Sequence, residues 1–178
     1  MFSLNNRFAA SSDGLPNPPP PPCSLAEDAL VAALGNATYA RYYETFPGTY
    51  ETPQDPGLFA TMLNNAILEG AAGIPFLTHT YVGTCPDPGR NITRPGRVGG
   101  ELEPSLAAFL IAQTPQSVYS VSTNWYDESF CWHPEYDLAF GFPLGPANRT
   151  GPYTWTRNFT LCNVEVDVSE HSGSIFLL

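Results

Sequence analysis

A chain of 178 residues has room for one domain with a true apolar core, and a hydrophobic content of 43% excludes a disordered polymer. Seventeen acidic side chains stand against seven arginines and no lysine, a net charge of −10. That balance argues against nucleic acid or an anionic membrane surface as a partner, and no apolar run is long enough to span a bilayer.

Residues 1–23 end in a proline run and read as a disordered lead-in or a polyproline spacer. Ser24-Leu25-Ala26-Glu27 has the form of a capping box, and Leu30, Val31 and Leu34 share one side of the helix it opens, which weakens at Gly35. Tyr39, Tyr42 and Tyr43 form an aromatic cluster of the core or wall, and Phe46–Asp55 reads as loop. Asp55-Pro56 then opens a second helix, with Asp as N-cap and Pro in the first turn. Leu58, Phe59, Met62, Leu63, Ala66 and Ile67 recur at helical spacing, and Gly70 and Gly73 close it. Glu69, at the end of this helix, is at the wrong pole of a βα unit for catalysis.

Ile74–Val82 reads as a strand, continuously apolar at first, as in a parallel strand covered on both faces. Its last part, Thr78-His79-Thr80-Tyr81, turns polar. Ligands of parallel α/β folds sit at the C-terminal ends of strands, so His79 and Tyr81 fall where site residues fall. Gly83–Gly100 is a long loop whose Arg90, Arg94 and Arg97 are expected to be solvated, the alternative being that they meet an acidic sugar. Glu101–Gln113 is a helix with acidic residues in its first turn and Leu102, Leu106, Phe109 and Leu110 toward the core. Val118–Val121 is the next strand. This helix–strand–helix–strand order is the pattern of βα repeats.

The loop that follows carries Asn124, Trp125, Tyr126, Asp127, Glu128, Trp132, His133, Glu135, Tyr136 and Asp137. Aromatic rings beside carboxylates and amides suit a sugar, whose C–H face stacks on a ring and whose hydroxyls need polar partners. Strands at Tyr153–Thr160, Val164–Val168 and Ser174–Leu178 finish the chain as an antiparallel hairpin or meander.

The four cysteines, Cys23, Cys85, Cys131 and Cys162, include no CxxC pair and allow three complete pairings, among which the sequence does not choose. Four N-x-S/T sequons, at Asn36, Asn91, Asn148 and Asn158, combine with the even cysteine count to favour a glycoprotein of the secretory pathway. The N-terminal segment has no apolar h-region and cannot be a signal peptide, so either the protein is cytosolic or, as the sequons favour, its true start is expected upstream. There is no GxGxxG, GxxxxGK[ST], HExxH or GxSxG, so no cofactor is expected. Cys131, His133 and Glu135 form the one conceivable metal set, but strand-like alternation explains their spacing as well, and no metal is expected. Asp127, Glu128, Glu135 and Asp137 are the carboxylates available for glycoside hydrolysis, which places its pair roughly 5 Å apart for retention and about 6.5–9.5 Å apart for inversion.

Trp132, Pro134-Glu135-Tyr136-Asp137, Gly141, Pro143-Leu144-Gly145, Ala147, Tyr153, Trp155, Arg157 and Phe159 form a signature over Trp125–Phe159. It resembles the C-terminal part of a glycoside-hydrolase-like family with a (β/α)8 barrel. The resemblance implies an α/β chain: βα units of an incomplete barrel over residues 24–152, then the C-terminal strands over 153–178. A full barrel needs about 250 residues, so only the last two or three βα units are expected here. The family's earlier strands would carry the main acid/base and nucleophile, so the catalytic residues stay unassigned and hydrolysis by this chain alone is not expected.

The resemblance also implies a carbohydrate partner, in a cleft lined by His79, Tyr81, Asn124, Trp125, Asp127 and Trp132. Trp125 would be the stacking platform, and Asn124 and Asp127 would bind hydroxyls. Glu135–Asp137 would brace the loop, with Arg157 as partner. The competing reading is a secreted, non-catalytic carbohydrate-binding or interaction module.

Overall fold

A computed structural model describes residues 40–44, 46, 56–87, 89–123 and 131–178. The Pro-rich lead-in, the capping-box helix at Ser24 and the loop before Pro56 lie outside them. Three strands, β1 (Arg41–Glu44), β2 (Phe76–Tyr81) and β4 (Val118–Ser122), form a parallel sheet in the order β1-β2-β4. Helix α1 (Pro56–Ala71) joins β1 to β2, and helix α2 (Glu103–Ala112) lies between β2 and β4. The βα logic of the sequence is thus realised, with β1 drawn from the tyrosine cluster.

The two faces of this sheet differ. Along β2, Phe76, Thr78 and Thr80 are buried, while Leu77, His79 and Tyr81 are half-buried. The buried set faces the helices. Phe76 meets Phe109 of α2 edge-on, with ring centroids 6.2 Å apart. Tyr119, the register partner of Thr78, packs on Phe109 and shares a 2.7 Å hydrogen bond with Ser105. Side chains of paired residues share a face, so Tyr42, Leu77, His79, Tyr81, Ser120 and Ser122 occupy the face opposite α1 and α2. At the lower end of the sheet, Glu69 of α1 accepts the Tyr43 hydroxyl at 2.5 Å and pairs with Arg41 at 3.1 Å. Burial, reinforced by Glu69, pushes the Tyr43 phenol well above its usual range. Glu69 is thus a structural group at the N-terminal pole of the strands.

A second sheet is antiparallel and five-stranded, in the order β3-β8-β7-β6-β5. Its strands are β3 (Gly96–Arg97), β5 (Asn148–Arg149), β6 (Thr154–Asn158), β7 (Cys162–Asp167) and β8 (Ser172–Leu177). The expected meander forms its centre, and two-residue strands from the loops complete its edges. Alternation is strict in β7: Cys162, Val164 and Val166 point inward, Asn163 and Glu165 outward. Trp155, Phe159, Ile175 and Leu177 join the same core.

Helix α2 runs between the two sheets. It is apolar all round and nearly every residue is buried, as a doubly covered helix must be. Gly173 of β8 permits the close approach, because a Cβ there would stand 2.7 Å from the Ala107 methyl and 2.9 Å from Pro104 Cα. Both ends of α2 are tied down. At its start the buried Glu103 accepts the Ile175 amide at 3.0 Å and Arg97 Nε at 2.9 Å. At its end the Arg157 guanidinium donates to the carbonyls of Leu110, Ile111 and Gln113 at 2.8–3.1 Å, meeting the orphan carbonyls and the negative end of the helix dipole. Arg157 is therefore a helix cap and not the partner of the Glu135–Asp137 turn.

No closed barrel occurs among the described residues. Three parallel strands supply fewer than half of the eight that closure requires.

Candidate functional site

The C-terminal ends of the parallel strands bring together His79, Tyr81 and Ser122. His79 follows Thr78 into the polar end of β2, where its Nε2 lies 3.0 Å from Ser122 Oγ of β4. Tyr81 meets the imidazole edge-on at 4.6 Å between centroids, and Tyr42 stacks at 6.5 Å. The backbone extends this end: the Phe46 amide donates to the His79 carbonyl and the Val82 amide to that of Ser122. His79 and Tyr81 thus stand side by side on the face away from the helices. Asn124, Trp125 and Asp127, which follow β4 in the chain, lie outside the described residues.

Two loops meet above this pole. One follows β2 and one follows β4, and the Cys85–Cys131 disulfide joins them, with Cα atoms 5.5 Å apart. A buried ion pair makes a second tie: Arg90 Nη1 lies 2.5 Å from Oε1 of Glu135, whose side chain is wholly buried. The other guanidinium nitrogen of Arg90 donates to the carbonyls of Val98 and Gly99. Gly100, at φ +87°, leaves room for that guanidinium, which a Cβ would strike. Oε2 of Glu135 has no hydrogen-bond partner among the described residues. Glu101 closes the base of the first loop by accepting the Gly83 amide and the Thr84 hydroxyl.

Glu135 belongs to a 3-10 turn, Pro134–Asp137. This turn holds Trp132, whose Nε1 donates to Asp137 at 2.9 Å and whose ring meets Tyr136 edge-on at 5.4 Å. The indole is 57% exposed. A large ring fixed in place yet open to solvent is a preformed stacking surface, with little rotamer entropy left to lose. Next to it, His133 is buried and packs on Tyr136 at 5.6 Å.

Burial holds the His133 imidazole below its ordinary pKa, against the opposing pull of Glu135 and Glu101. A histidine depressed in the folded state takes up its proton more readily when unfolded. Its contribution to stability is therefore constant above the unfolded value, about 6.5, and declines as pH falls below it. We expect His133→Gln to flatten the pH dependence of unfolding free energy below that point, in urea titrations of variant and parent. A parallel dependence in the two would show that another group controls it.

The arginines of the described residues have internal partners. Arg94 bonds the carbonyls of Ala139 and Leu161, Arg97 pairs with Glu103, and Arg149 lies over the Trp155 ring and bonds the Gly151 and Pro152 carbonyls. Of the loop arginines expected to be solvated, Arg94 and Arg97 are exposed and also brace the fold, while the half-buried Arg90 is drawn inward to Glu135. Cys131 spends its sulfur on Cys85, which takes the thiolate out of the Cys131–His133–Glu135 set, and no cluster of three metal-binding side chains occurs among the described residues. Cys162 is a buried free thiol raised by burial to about 11, which leaves it unreactive. Asn91, Asn148 and Asn158 are all exposed, as acceptor asparagines must be, while Asn36 lies outside the described residues.

Sequence reasoning missed Arg90, Glu101 and Ser122 as parts of this pole. The Gly99-Gly100 pair was the signal available for Arg90, since two adjacent glycines mark a close approach.

The segment from α2 to the start of β7 is similar to glycoside-hydrolase-like proteins. Residues 100–162 match the model of a family described as Hypothetical glycosyl hydrolase family 15. No curated protein matches the chain.

Proposed function

We propose that the chain is the carbohydrate-handling, C-terminal part of a secreted glycoside-hydrolase-like barrel protein, with its sugar cleft at the C-terminal ends of β1, β2 and β4. The observation that carries this reading is the convergence of His79, Tyr81 and Ser122 on the face that α1 and α2 leave open; the exposed Trp132 follows Cys131, which the disulfide ties to the loop after β2. The family match over residues 100–162 supports the same class. Trp132 and Trp125 stack on the sugar, and Asn124, Asp127 and His79 bind its hydroxyls. The disulfide and the exposed sequons Asn91, Asn148 and Asn158 support passage through the secretory pathway.

A second reading, binding without turnover, is favoured by the state of the described carboxylates at this pole. Glu135 is paired with Arg90, Glu101 accepts the Gly83 amide, and Asp137 holds Trp132. None is poised as a general acid beside a second carboxylate.

Titration of the 178-residue chain against a panel of oligosaccharides tests both readings. Trp125→Ala and His79→Ala are each expected to weaken binding by about tenfold or more, as loss of a central contact does. Unaltered binding by folded variants would remove both residues from the cleft. Release of reducing ends would select the enzyme, and binding without release the module.

A further inference from the structure

We infer that an N-linked glycan on Asn158 covers an apolar patch on the outer face of the antiparallel sheet, its first two sugars lying over Leu144 and Phe176. The inference rests on the reading of the chain as a product of the secretory pathway. Five large apolar side chains, Phe142, Leu144, Leu161, Phe176 and Leu178, are each 38–80% exposed at one end of this sheet. A contiguous apolar patch of that kind marks a surface that something covers.

The patch is set by backbone pairing. Pro143 and the buried Phe159 form an antiparallel bridge, flanked by bonds from the Leu144 amide to the Asn158 carbonyl and from the Thr160 amide to the Phe142 carbonyl, both 2.9 Å. Phe142 and Leu144 therefore take the side opposite to Phe159, which is the outer one. Asn158 pairs with Asn163, and Asn163 with Phe176. Leu144, Asn158, Asn163 and Phe176 thus form one row across the outer face. The Leu178 amide bonds the Leu161 carbonyl at 3.0 Å and closes the patch beside the β6–β7 turn. Gly141, at φ +83°, lets the Phe142 segment lie against that turn, where a Cβ would strike Thr160 and Leu161. The patch is also remote from the parallel sheet, because α2 stands between the two sheets. Strands that extend the parallel sheet join it at its edges, β1 or β4, and leave this face open.

The exposed Asn158 stands inside the patch, and Asn158-Phe159-Thr160 is an acceptor sequon. Asn148 shares the face but stands opposite Thr156, further along the strand. In the transfer, the Asn158 amide nitrogen attacks C1 of the first sugar of a lipid-diphosphate-linked oligosaccharide. The N–C1 bond forms, the C1–O bond to the diphosphate breaks, the lipid diphosphate leaves and the nitrogen loses one proton. The apolar C–H face of the attached pyranose can then lie on Leu and Phe side chains. Leu144 is one strand spacing from Asn158 and Phe176 two, about 10 Å, which two sugars span.

The test begins with peptide mapping of the protein purified from its source, which reads occupancy at each sequon. The full chain, secreted from a eukaryotic host behind an added signal peptide, is then compared with Asn158→Gln and Asn148→Gln. Binding of the dye anilinonaphthalene sulfonate and sedimentation velocity read the exposed patch. We expect Asn158 to be occupied, the parent to be monomeric, and Asn158→Gln to bind severalfold more dye or to self-associate. Adding Phe142→Ser and Leu144→Ser to that variant should return both readings to the parent's, while Asn148→Gln should move neither. If Asn158→Gln is not secreted, enzymatic release of the glycans from the folded parent makes the same comparison. An unoccupied Asn158 beside an occupied Asn91 or Asn148 would overturn the inference and leave the secretory reading in place. Unoccupied sequons throughout the source protein would overturn both. An occupied Asn158 whose loss moves neither reading would overturn the cover.

Discussion

Replacing Cys85 and Cys131 together with serine is expected to lower the stability of the chain by about 4 kcal/mol, the chain-entropy value for a loop of this size. The two residues are 46 apart in sequence, so the crosslink removes many conformations from the unfolded ensemble. The measurement is urea unfolding of the parent and the double variant, with intact crosslinks verified by mass. A loss below about 1 kcal/mol would mean that the loops are held in the unfolded state by other contacts, or that the bond strains the fold by as much as it stabilises it. The first possibility has a signature, since residual structure in the unfolded state lowers the slope of the transition.

Arg90→Ala is expected to cost about 3–5 kcal/mol, the usual penalty for breaking a buried ion pair from one side. The reason lies in Glu135, which keeps its charge inside the protein with no guanidinium to balance it. The size of the effect belongs to the stranded charge and not to the pair's net worth. The double variant Arg90→Ala/Glu135→Gln should therefore recover part of the loss, and unfolding midpoints of the two variants measure how much. Equal midpoints would mean that the lost guanidinium–carbonyl bonds to Val98 and Gly99 dominate. These two ties hold the same pair of loops, so their effects should couple when combined.

Much of the scaffold was legible because its elements announce themselves locally. Pro56 in a first turn, helical spacing from Phe59 to Ala66, and an apolar run ending in polar residues are short-range patterns, and α1, α2, β2 and β4 formed where those patterns lie. β1 was not legible. Arg41-Tyr42-Tyr43-Glu44 has no alternation of its own, and its strand exists because Tyr43 packs on Phe76 and Phe46 and reaches Glu69. β3 and β5 are two residues each and take their conformation from the neighbouring strand. At the site, the placement of His79 and Tyr81 followed from the change of polarity along a single strand. The Gly99-Gly100 pair marked a close approach of some group, but nothing in the sequence joined that group to Glu135. Arg90 lies 45 residues away in an irregular loop, and contacts of that range leave no periodic trace. The disulfide is the same kind of case: the spacing of four cysteines left three pairings open, and the fold brought Cys85 to Cys131.

The double coverage of α2 has a consequence for how the molecule breathes. A helix on a protein surface can fray or detach while the rest holds. Here the Arg157 clamp, the Glu103 bonds and the seat at Gly173 leave no such partial opening, because freeing one face of α2 still leaves the other packed. Its amide protons can reach solvent deuterium only when the parallel and antiparallel sheets come apart together. The α2 amides thus report the global opening free energy, and the slowest-exchanging amides of the molecule gather at the seam between its two sheets rather than within either one.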